Sequence, residues 1–195
     1  MRGTRRFSQA ISEGDGISLL VEVDGAEAAR RAEAGGAEAL IVRGVFAGVR
    51  DATALPILWY AQGSLDDARR AGADAYVIVS GGHGRDELAD RHREALDAGL
   101  DCVVSVEDED ELEQALEAVD PEIFLLSTPG GHRGADALEH VLALLLDVPA
   151  GKLAIAEVAV SGREQVDELE RAGVDAVLVG AADVAGLAGD VPPEV

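Results

Sequence analysis

The sequence predicts a compact, single-domain (β/α)8 barrel, the TIM-barrel fold, with eight parallel strands. Three observations favour this fold: short apolar runs, amphipathic stretches between them, and a glycine motif that recurs where helices end. The apolar runs are four to seven residues long and lack polar alternation, which is typical of parallel strands buried on both faces. The eight runs are Ile17–Val23, Ala39–Val42, Leu55–Tyr60, Ala75–Val79, Cys102–Val106, Ile123–Leu126, Leu153–Val158 and Ala176–Val179.

Amphipathic stretches between these runs predict the helices. The stretch that begins at Ser64 has a favourable cap and two aspartates in its first turn, which complement the helix dipole. Val45–Ala54 leaves room for only one or two turns. The other predicted helices are Gly25–Ala34, Ser64–Ala71, Asp86–Ala98, Asp108–Val119, Ala135–Leu146, Gly162–Ala172 and a short last helix near Ala182–Leu187.

A repeated motif links helices to the strands that follow. Its copies are Ala34-Gly35-Gly36-Ala37-Glu38, Ala71-Gly72-Ala73-Asp74, Ala98-Gly99-Leu100-Asp101 and Ala172-Gly173-Val174-Asp175. Glycine just past a helix adopts the left-handed conformation at the lowest cost, so the motif predicts a turn into the next strand. No linker interrupts the pattern. We therefore predict one domain over residues 1–195, in which residues 1–16 form a short N-terminal helix, around Arg5–Ser12, and a lead-in.

The charge balance excludes several classes of partner. The chain has 38 acidic and 16 basic residues and a formal net charge of −22, which repels nucleic acids and anionic membrane surfaces. No apolar run reaches the ~18 residues of a membrane span, and no signal-peptide core follows the first residues. We expect a cytoplasmic protein that binds neither nucleic acid nor membrane, and the oligomeric state stays open.

The scarcity of cysteine and lysine limits the chemistry. Cys102 is the only cysteine and lies in an apolar run, so we predict a buried core residue without a disulfide. No metal-ligand spacing is present, and no Gly-x-Gly-x-x-Gly segment follows a strand, so we expect no metal ion and no cofactor. Lys152 is the only lysine, which excludes any mechanism that needs two.

In a barrel of this class the site lies at the carboxyl ends of the strands. Two Gly-Gly-His segments follow strands four and six, and their glycines would let backbone N–H groups approach an anion. One reading is therefore a ligand or phosphate site; the alternative is exposed loops with incidental histidines. The candidate binding residues in these segments are His83, Arg85, His132 and Arg133.

Two carboxylates stand at the ends of apolar strands. Glu22 and Glu157 must face the mouth of the barrel or suffer a large desolvation penalty, and as a pair they are candidates for general acid–base work. The alternative is that each is paired with Arg43, or with another polar neighbour, for structure. Of the adjacent aromatic residues Trp59 and Tyr60, we expect one to pack in the barrel and the other to face outward or line the mouth.

Several segments resemble indole-3-glycerol phosphate synthase, a (β/α)8 enzyme of tryptophan biosynthesis. The similarity begins with Phe7–Ile11 followed by Leu19–Val23, and continues in Ala98–Val104 and Glu109–Leu116. The sharpest match is Val174-Asp175-Ala176-Val177-Leu178-Val179-Gly180. The resemblance implies a phosphate site at Gly180 and Ala181.

The resemblance also identifies positions where the chain departs from the family. The family has a catalytic lysine two residues after the glutamate of strand one and a second lysine on strand three. Here Glu22 is kept, but Asp24 and Tyr60 occupy the two lysine positions, while Glu157 matches the strand-seven glutamate. Lys152 lies at the opposite end of strand seven. We therefore predict that the ring-closing decarboxylation is absent or severely weakened.

The sequence thus predicts a divergent member of this family that binds a small phosphorylated molecule. One alternative is a sugar-phosphate isomerase or lyase that moves protons with Glu22, Asp24, Glu157 and the loop histidines. Another is a non-catalytic scaffold or partner protein that kept the barrel.

Overall fold

Eight parallel strands close into a barrel in chain order, with the first strand paired to both the second and the eighth. The computed structural model describes residues 7–13, 16–60, 63–131, 135–180 and 184–187. The predicted (β/α)8 barrel is confirmed. The strands are β1 (Ser18–Glu22), β2 (Ala39–Val42), β3 (Ile57–Trp59), β4 (Ala75–Val79), β5 (Asp101–Val106), β6 (Ile123–Leu126), β7 (Leu153–Ala156) and β8 (Ala176–Val179).

Helices surround the barrel close to the predicted positions. Ser64 and Asp67 form a capping box at the start of α4, where each side chain bonds the other residue's backbone N–H. None of the described helices is long and apolar enough to span a bilayer. The helices are α1 (Phe7–Ser12), α2 (Ala26–Ala34), α3 (Val49–Ala52), α4 (Leu65–Arg70), α5 (Arg85–Asp97), α6 (Glu109–Ala118), α7 (Ala135–Leu145), α8 (Arg163–Ala172) and α9 (Val184–Leu187).

The core has two parts, one inside the barrel and one between the sheet and the helices. Alternate strand residues point inward, and the inner cluster is aliphatic, with Leu58 and Val103 fully buried. Phe7 and Ile11 of α1 belong to the same inner cluster, so α1 closes the amino end of the barrel. Cys102 is buried in the outer cluster, as predicted, and burial raises the pKa of its thiol to about 12.

The acidic residue of the repeated glycine motif has a role that the sequence analysis did not assign. In three copies its carboxylate accepts a hydrogen bond from a backbone N–H at the start of the preceding strand. These acid clamps join Glu38 to Leu19 at 2.8 Å, Asp74 to Ile57 at 2.9 Å and Asp175 to Ala154 at 2.8 Å.

The fourth copy holds α1 instead of a strand. Asp101 accepts a hydrogen bond at 3.0 Å from the backbone N–H of Ser8. The glycines of the four copies turn the chain as predicted, with positive φ angles of 94° at Gly36, 71° at Gly72, 78° at Gly99 and 98° at Gly173. The motif therefore both ends a helix and ties neighbouring elements at the amino end of the barrel.

Candidate active site

Polar side chains form the layer above the inner core at the carboxyl end of the barrel. They occupy the inward positions two residues beyond the buried inner layer, so strand alternation aims them into the mouth. The last residue of β1 and the residues just past β2, β3 and β7 give two carboxylates, a guanidinium and a phenol. The layer comprises Glu22, Arg43, Tyr60, Ser105, Ser127 and Glu157.

Arg43 lies between the two predicted carboxylates. Its Nε donates to Glu22 Oε2 at 3.1 Å, and one Nη donates to Glu157 Oε1 at 2.8 Å. Burial by itself lowers the pKa of Arg43, but the hydrogen bonds to Glu157 and Glu22 outweigh it and raise the pKa above its ordinary value. The two glutamates thus pair with Arg43, as the structural alternative expects, and their catalytic role stays a prediction.

Tyr60 completes this group of charges. Its hydroxyl donates to Glu157 Oε2 at 2.9 Å, and the guanidinium carbon of Arg43 lies 4.1 Å from the centre of its ring. Burial raises the pKa of Tyr60 to about 12, and the negative charge of Glu157 adds to the shift. Trp59 is instead buried in the outer core. Tyr60 thus lines the mouth, whereas Trp59 packs between the sheet and the helices and not inside the barrel, where one of the two aromatics was expected.

Two serine hydroxyls lie beside this group, Ser105 within β5 and Ser127 just past the end of the adjacent strand β6. The Oγ atoms of Ser105 and Ser127 are 3.4 Å apart and buried, and Ser127 Oγ also donates to the backbone carbonyl of Val106 at 3.3 Å. A hydrogen bond with Ser105 lowers the Tyr60 pKa and so opposes part of the rise caused by burial. The mouth is therefore a connected polar network and not a set of isolated side chains.

The mouth opens into two cavities that share Tyr60. One has a volume of about 500 Å³ and extends toward the ends of β7 and β8. The other, of about 690 Å³, extends toward β4 and includes Arg43. The first is lined by Glu22, Tyr60, Glu107, Ser127, Thr128, Glu157, Val158, Ala159, Leu178, Val179 and Gly180.

The remaining predicted residues are dispersed. Gly180 lines the first cavity, and Asp24 is exposed beyond the end of β1. His83 lines the second cavity, and its Nδ1 is 3.2 Å from Glu87 Oε1 on α5. Arg85 forms an ion pair with Glu117 of α6, so it does not join the Arg43 group.

Three predicted residues, Ala181, His132 and Arg133, lie outside the described residues. Within the described ranges no group of three His, Cys, Asp or Glu side chains is arranged to hold a metal ion. Arg43 was expected only as a pairing partner of the glutamates, and Tyr60 as a residue of the core or the mouth that takes a lysine position of the family; neither was predicted to join the two carboxylates in one group. Strand alternation from Ile41 and Leu58 was the signal that could have placed both in the mouth.

A closed eight-stranded parallel barrel with a polar carboxyl end defines the class: a (β/α)8 protein with its candidate site where the strands end. The model of the indole-3-glycerol phosphate synthase family matches residues 46–185. The chain belongs to this tryptophan-biosynthesis family. The matched span begins after β2, so Glu22, Asp24 and Arg43 precede it.

Two relatives of the same name come from the genus Geobacillus. The chain is 30% identical over 142 residues to indole-3-glycerol phosphate synthase of a Geobacillus species, which covers 71% of this chain and 55% of the relative. It is 28% identical over 116 residues to that of Geobacillus thermodenitrificans, covering 60% and 45%. The alignments thus span about half the length of these relatives.

Solved structures with other functions share the fold. The N-acetylmannosamine-6-phosphate 2-epimerase of Clostridium perfringens superposes with a TM-score of 0.67 at 16% identity, covering 85% of this chain and 86% of that one. A mutant tryptophan synthase α-subunit of Pyrococcus furiosus gives 0.64 at 15% identity, covering 86% and 88%. At such identities the likeness concerns the barrel alone.

Proposed function

We propose that this chain binds a small phosphorylated molecule at the carboxyl end of its barrel, and that the ring-closing decarboxylation of its family is absent or severely weakened. The observation that carries the proposal is the position of the only lysine. Lys152 precedes β7 at the amino end of the barrel, where its Nζ is 2.7 Å from Asp120 Oδ1. A lysine held there is at the wrong end for chemistry in the mouth.

The side chains present in the mouth do not replace the family's lysines. Tyr60, which stands at one lysine position by resemblance, has a pKa of about 12 and is neutral in its protonated form. Arg43 is positively charged, but a guanidinium does not release a proton in proteins. The described part of the mouth therefore supplies a positive charge and a weak acid on different residues, whereas a lysine combines both.

Support for a phosphorylated ligand comes from the cavity at β7 and β8. Its volume of about 500 Å³ suits a small sugar phosphate. Gly180, which takes the family's phosphate position by resemblance, lines this cavity, and it has no side chain that would fill it. The two relatives are named for the synthesis of indole-3-glycerol phosphate, a phosphorylated molecule, which favours the same class of ligand here.

The first experiment measures the family reaction directly. Purified protein is incubated with carboxyphenylamino deoxyribulose phosphate, and formation of indole-3-glycerol phosphate is followed. We expect no product, or product far below an ordinary enzyme rate, in the wild type and in Lys152→Arg alike. Turnover at an ordinary rate would overturn the assignment of Asp24 and Tyr60 as lysine replacements.

The second experiment tests ligand binding. Stabilisation by a ligand grows with its concentration relative to Kd, so inorganic phosphate and a sugar phosphate should raise Tm at millimolar concentration. Gly180→Asp, which adds a negative charge to the cavity, should abolish the shift. Leu146→Asp adds the same charge at an exposed position at the end of α7 and should retain it. No shift in the wild type would refute the phosphate site.

The contact between Tyr60 and Glu157 favours a second candidate function. A carboxylate that accepts a hydrogen bond from a phenol at 2.9 Å is placed for proton transfer, as a sugar-phosphate isomerase or lyase requires. Exchange of ligand protons with deuterated solvent, followed by NMR, tests this candidate. Exchange that is lost in Glu157→Gln supports it; a ligand that binds without exchange supports the non-catalytic scaffold.

A further inference from the structure

We propose that Arg43 is the anion-binding residue of the mouth and that Glu22 is an internal counter-ion, which an oxyanion of the ligand displaces. The inference rests on the proposed binding of a phosphorylated molecule at this end of the barrel. It names the residue that recognises the anion, Arg43, and the ion pair that must break, Arg43–Glu22. The ligand group is an oxyanion, either a phosphate or a carboxylate, because both match the N–H fork of a guanidinium.

The two glutamates hold Arg43 unequally. Glu157 has a side chain only 25% exposed, and it accepts hydrogen bonds from both Arg43, at 2.8 Å, and Tyr60, at 2.9 Å. Glu22 is 51% exposed and meets Arg43 through a single, longer contact of 3.1 Å. Exposed ion pairs contribute little stability, whereas a buried pair is expensive to break. Glu22 is therefore the partner that exchanges.

Arg43 is already positioned for an incoming anion. Its guanidinium carbon lies 4.1 Å from the centre of the Tyr60 ring, and its hydrogen bond to Glu157 also restricts the orientation of the guanidinium. A guanidinium has five N–H donors, more than the contacts with Glu22 and Glu157 use. The side chain is 39% exposed and lines the larger cavity, so a ligand in the mouth reaches it without a change in the barrel.

The exchange keeps the charge of Arg43 compensated. Glu22, Glu107 and Glu157 all line the smaller cavity, and their field repels a free anion. If the anion replaces Glu22 on Arg43, the guanidinium keeps two negative partners and the Glu22 carboxylate swings into water. Because the Glu22 side chain is 51% exposed beside Arg43, about half of its surface is hydrated before the exchange.

The test compares anion affinities in a set of matched variants by isothermal titration calorimetry at constant ionic strength. Inorganic phosphate and acetate are titrated separately into the wild type, Glu22→Gln, Arg43→Gln and the double variant. Glu107→Gln removes a charge from the wall of the same cavity without a contact to Arg43, and so measures the long-range effect alone. Circular dichroism confirms that each variant is folded.

We expect Glu22→Gln to bind phosphate about tenfold more tightly than the wild type, because one charge-assisted hydrogen bond no longer competes. Glu107→Gln should gain less, and Arg43→Gln should bind at least about tenfold more weakly. In the Arg43→Gln background, Glu22→Gln should add no more than Glu107→Gln does in the wild type. The same pattern with acetate alone would identify the ligand group as a carboxylate.

The outcomes separate this inference from the proposed function. If phosphate binds the wild type but Glu22→Gln and Arg43→Gln leave Kd unchanged, the anion is held elsewhere and only the inference is overturned. If Glu22→Gln and Glu107→Gln gain equally in affinity, the effect is that of the overall negative charge alone, and the inference is also overturned. If neither the wild type nor Glu22→Gln binds either anion, the proposed function fails together with the exchange.

Discussion

Removal of one acid clamp should destabilise the barrel by a predictable amount. Asp175→Ala deletes the carboxylate that accepts from the backbone N–H of Ala154 at 2.8 Å. Ala154 is 1% exposed, so its N–H would be left buried without this acceptor. A buried donor without a partner costs ~1–3 kcal/mol. Burial raises the pKa of Asp175, which indicates that the carboxylate itself is poorly hydrated and that part of this cost is offset. We expect a loss of about 1–2 kcal/mol in the free energy of unfolding.

Asp175→Asn is the matched control, because its amide oxygen can still accept the Ala154 hydrogen bond. Urea denaturation at neutral pH gives the free energy of unfolding for the wild type and both variants, and an unchanged m value would show that the same surface unfolds. Asn should retain more than half of the stability that Ala loses. Equal losses in Ala and Asn, or no loss in either, would refute the role assigned to the clamp.

The wild type and Asp175→Asn should also differ in how their free energy of unfolding depends on pH. The pKa of Asp175 is raised in the folded state, so over the range from the ordinary aspartate pKa up to the raised one the folded protein binds more protons than the unfolded chain. Stability contributed by this group therefore falls as pH rises through that range and is constant above it. The wild type should gain stability relative to Asp175→Asn on acidification. A relative loss would contradict the raised pKa of Asp175.

Three further predictions concern other parts of the barrel. Asp101→Ala removes the acceptor of the Ser8 N–H. It should lower the free energy of unfolding by ~1–2 kcal/mol and speed hydrogen exchange in α1 more than in β5. Equal acceleration in both elements would contradict a local role. Ser64→Ala removes the capping box of α4 and should lower the free energy of unfolding by ~1 kcal/mol in urea melts, whereas an unchanged midpoint would deny the cap any contribution. Burial raises the thiol pKa of Cys102 to about 12. At mildly alkaline pH, the thiol should therefore react with a thiol-specific chromogenic reagent only as fast as the protein unfolds. Rapid reaction of the native protein would be inconsistent with the burial of Cys102.

The barrel could be predicted because each buried strand corresponds to a continuous apolar run in the sequence. The runs at β2, β4, β6 and β8 have the bounds that the sequence predicts. The run Leu55–Tyr60 is longer than its strand, Ile57–Trp59. Pro56 has no N–H to donate, but its carbonyl accepts from the Leu40 N–H, and the Tyr60 N–H donates to the Val42 carbonyl. Apolar character thus locates a strand but does not fix the residues at which it begins and ends.

The arrangement of the mouth was harder to predict because it depends on residues far apart in the chain. Arg43 and Glu157 are separated by 114 positions and meet only because the barrel closes. The position of Arg85 after β4 made it a candidate for the mouth, yet its side chain pairs with Glu117 on the next helix. The order and approximate positions of the strands can be read from the sequence, whereas the direction of a side chain at the first residue of a helix depends on the neighbouring helix.

The single lysine also gives the barrel one defined point for chemical attachment, and its amine must leave Asp120 to react because the side chain is only 19% exposed. Lys152 offers the single side-chain amine of the sequence, and it lies at the amino end of β7 beside Asp120. Coupling to an amine-reactive support through this side chain would attach the barrel by its base. Every molecule immobilised in this way would present Arg43 and its two glutamates to the solution, in one orientation and free of the linker.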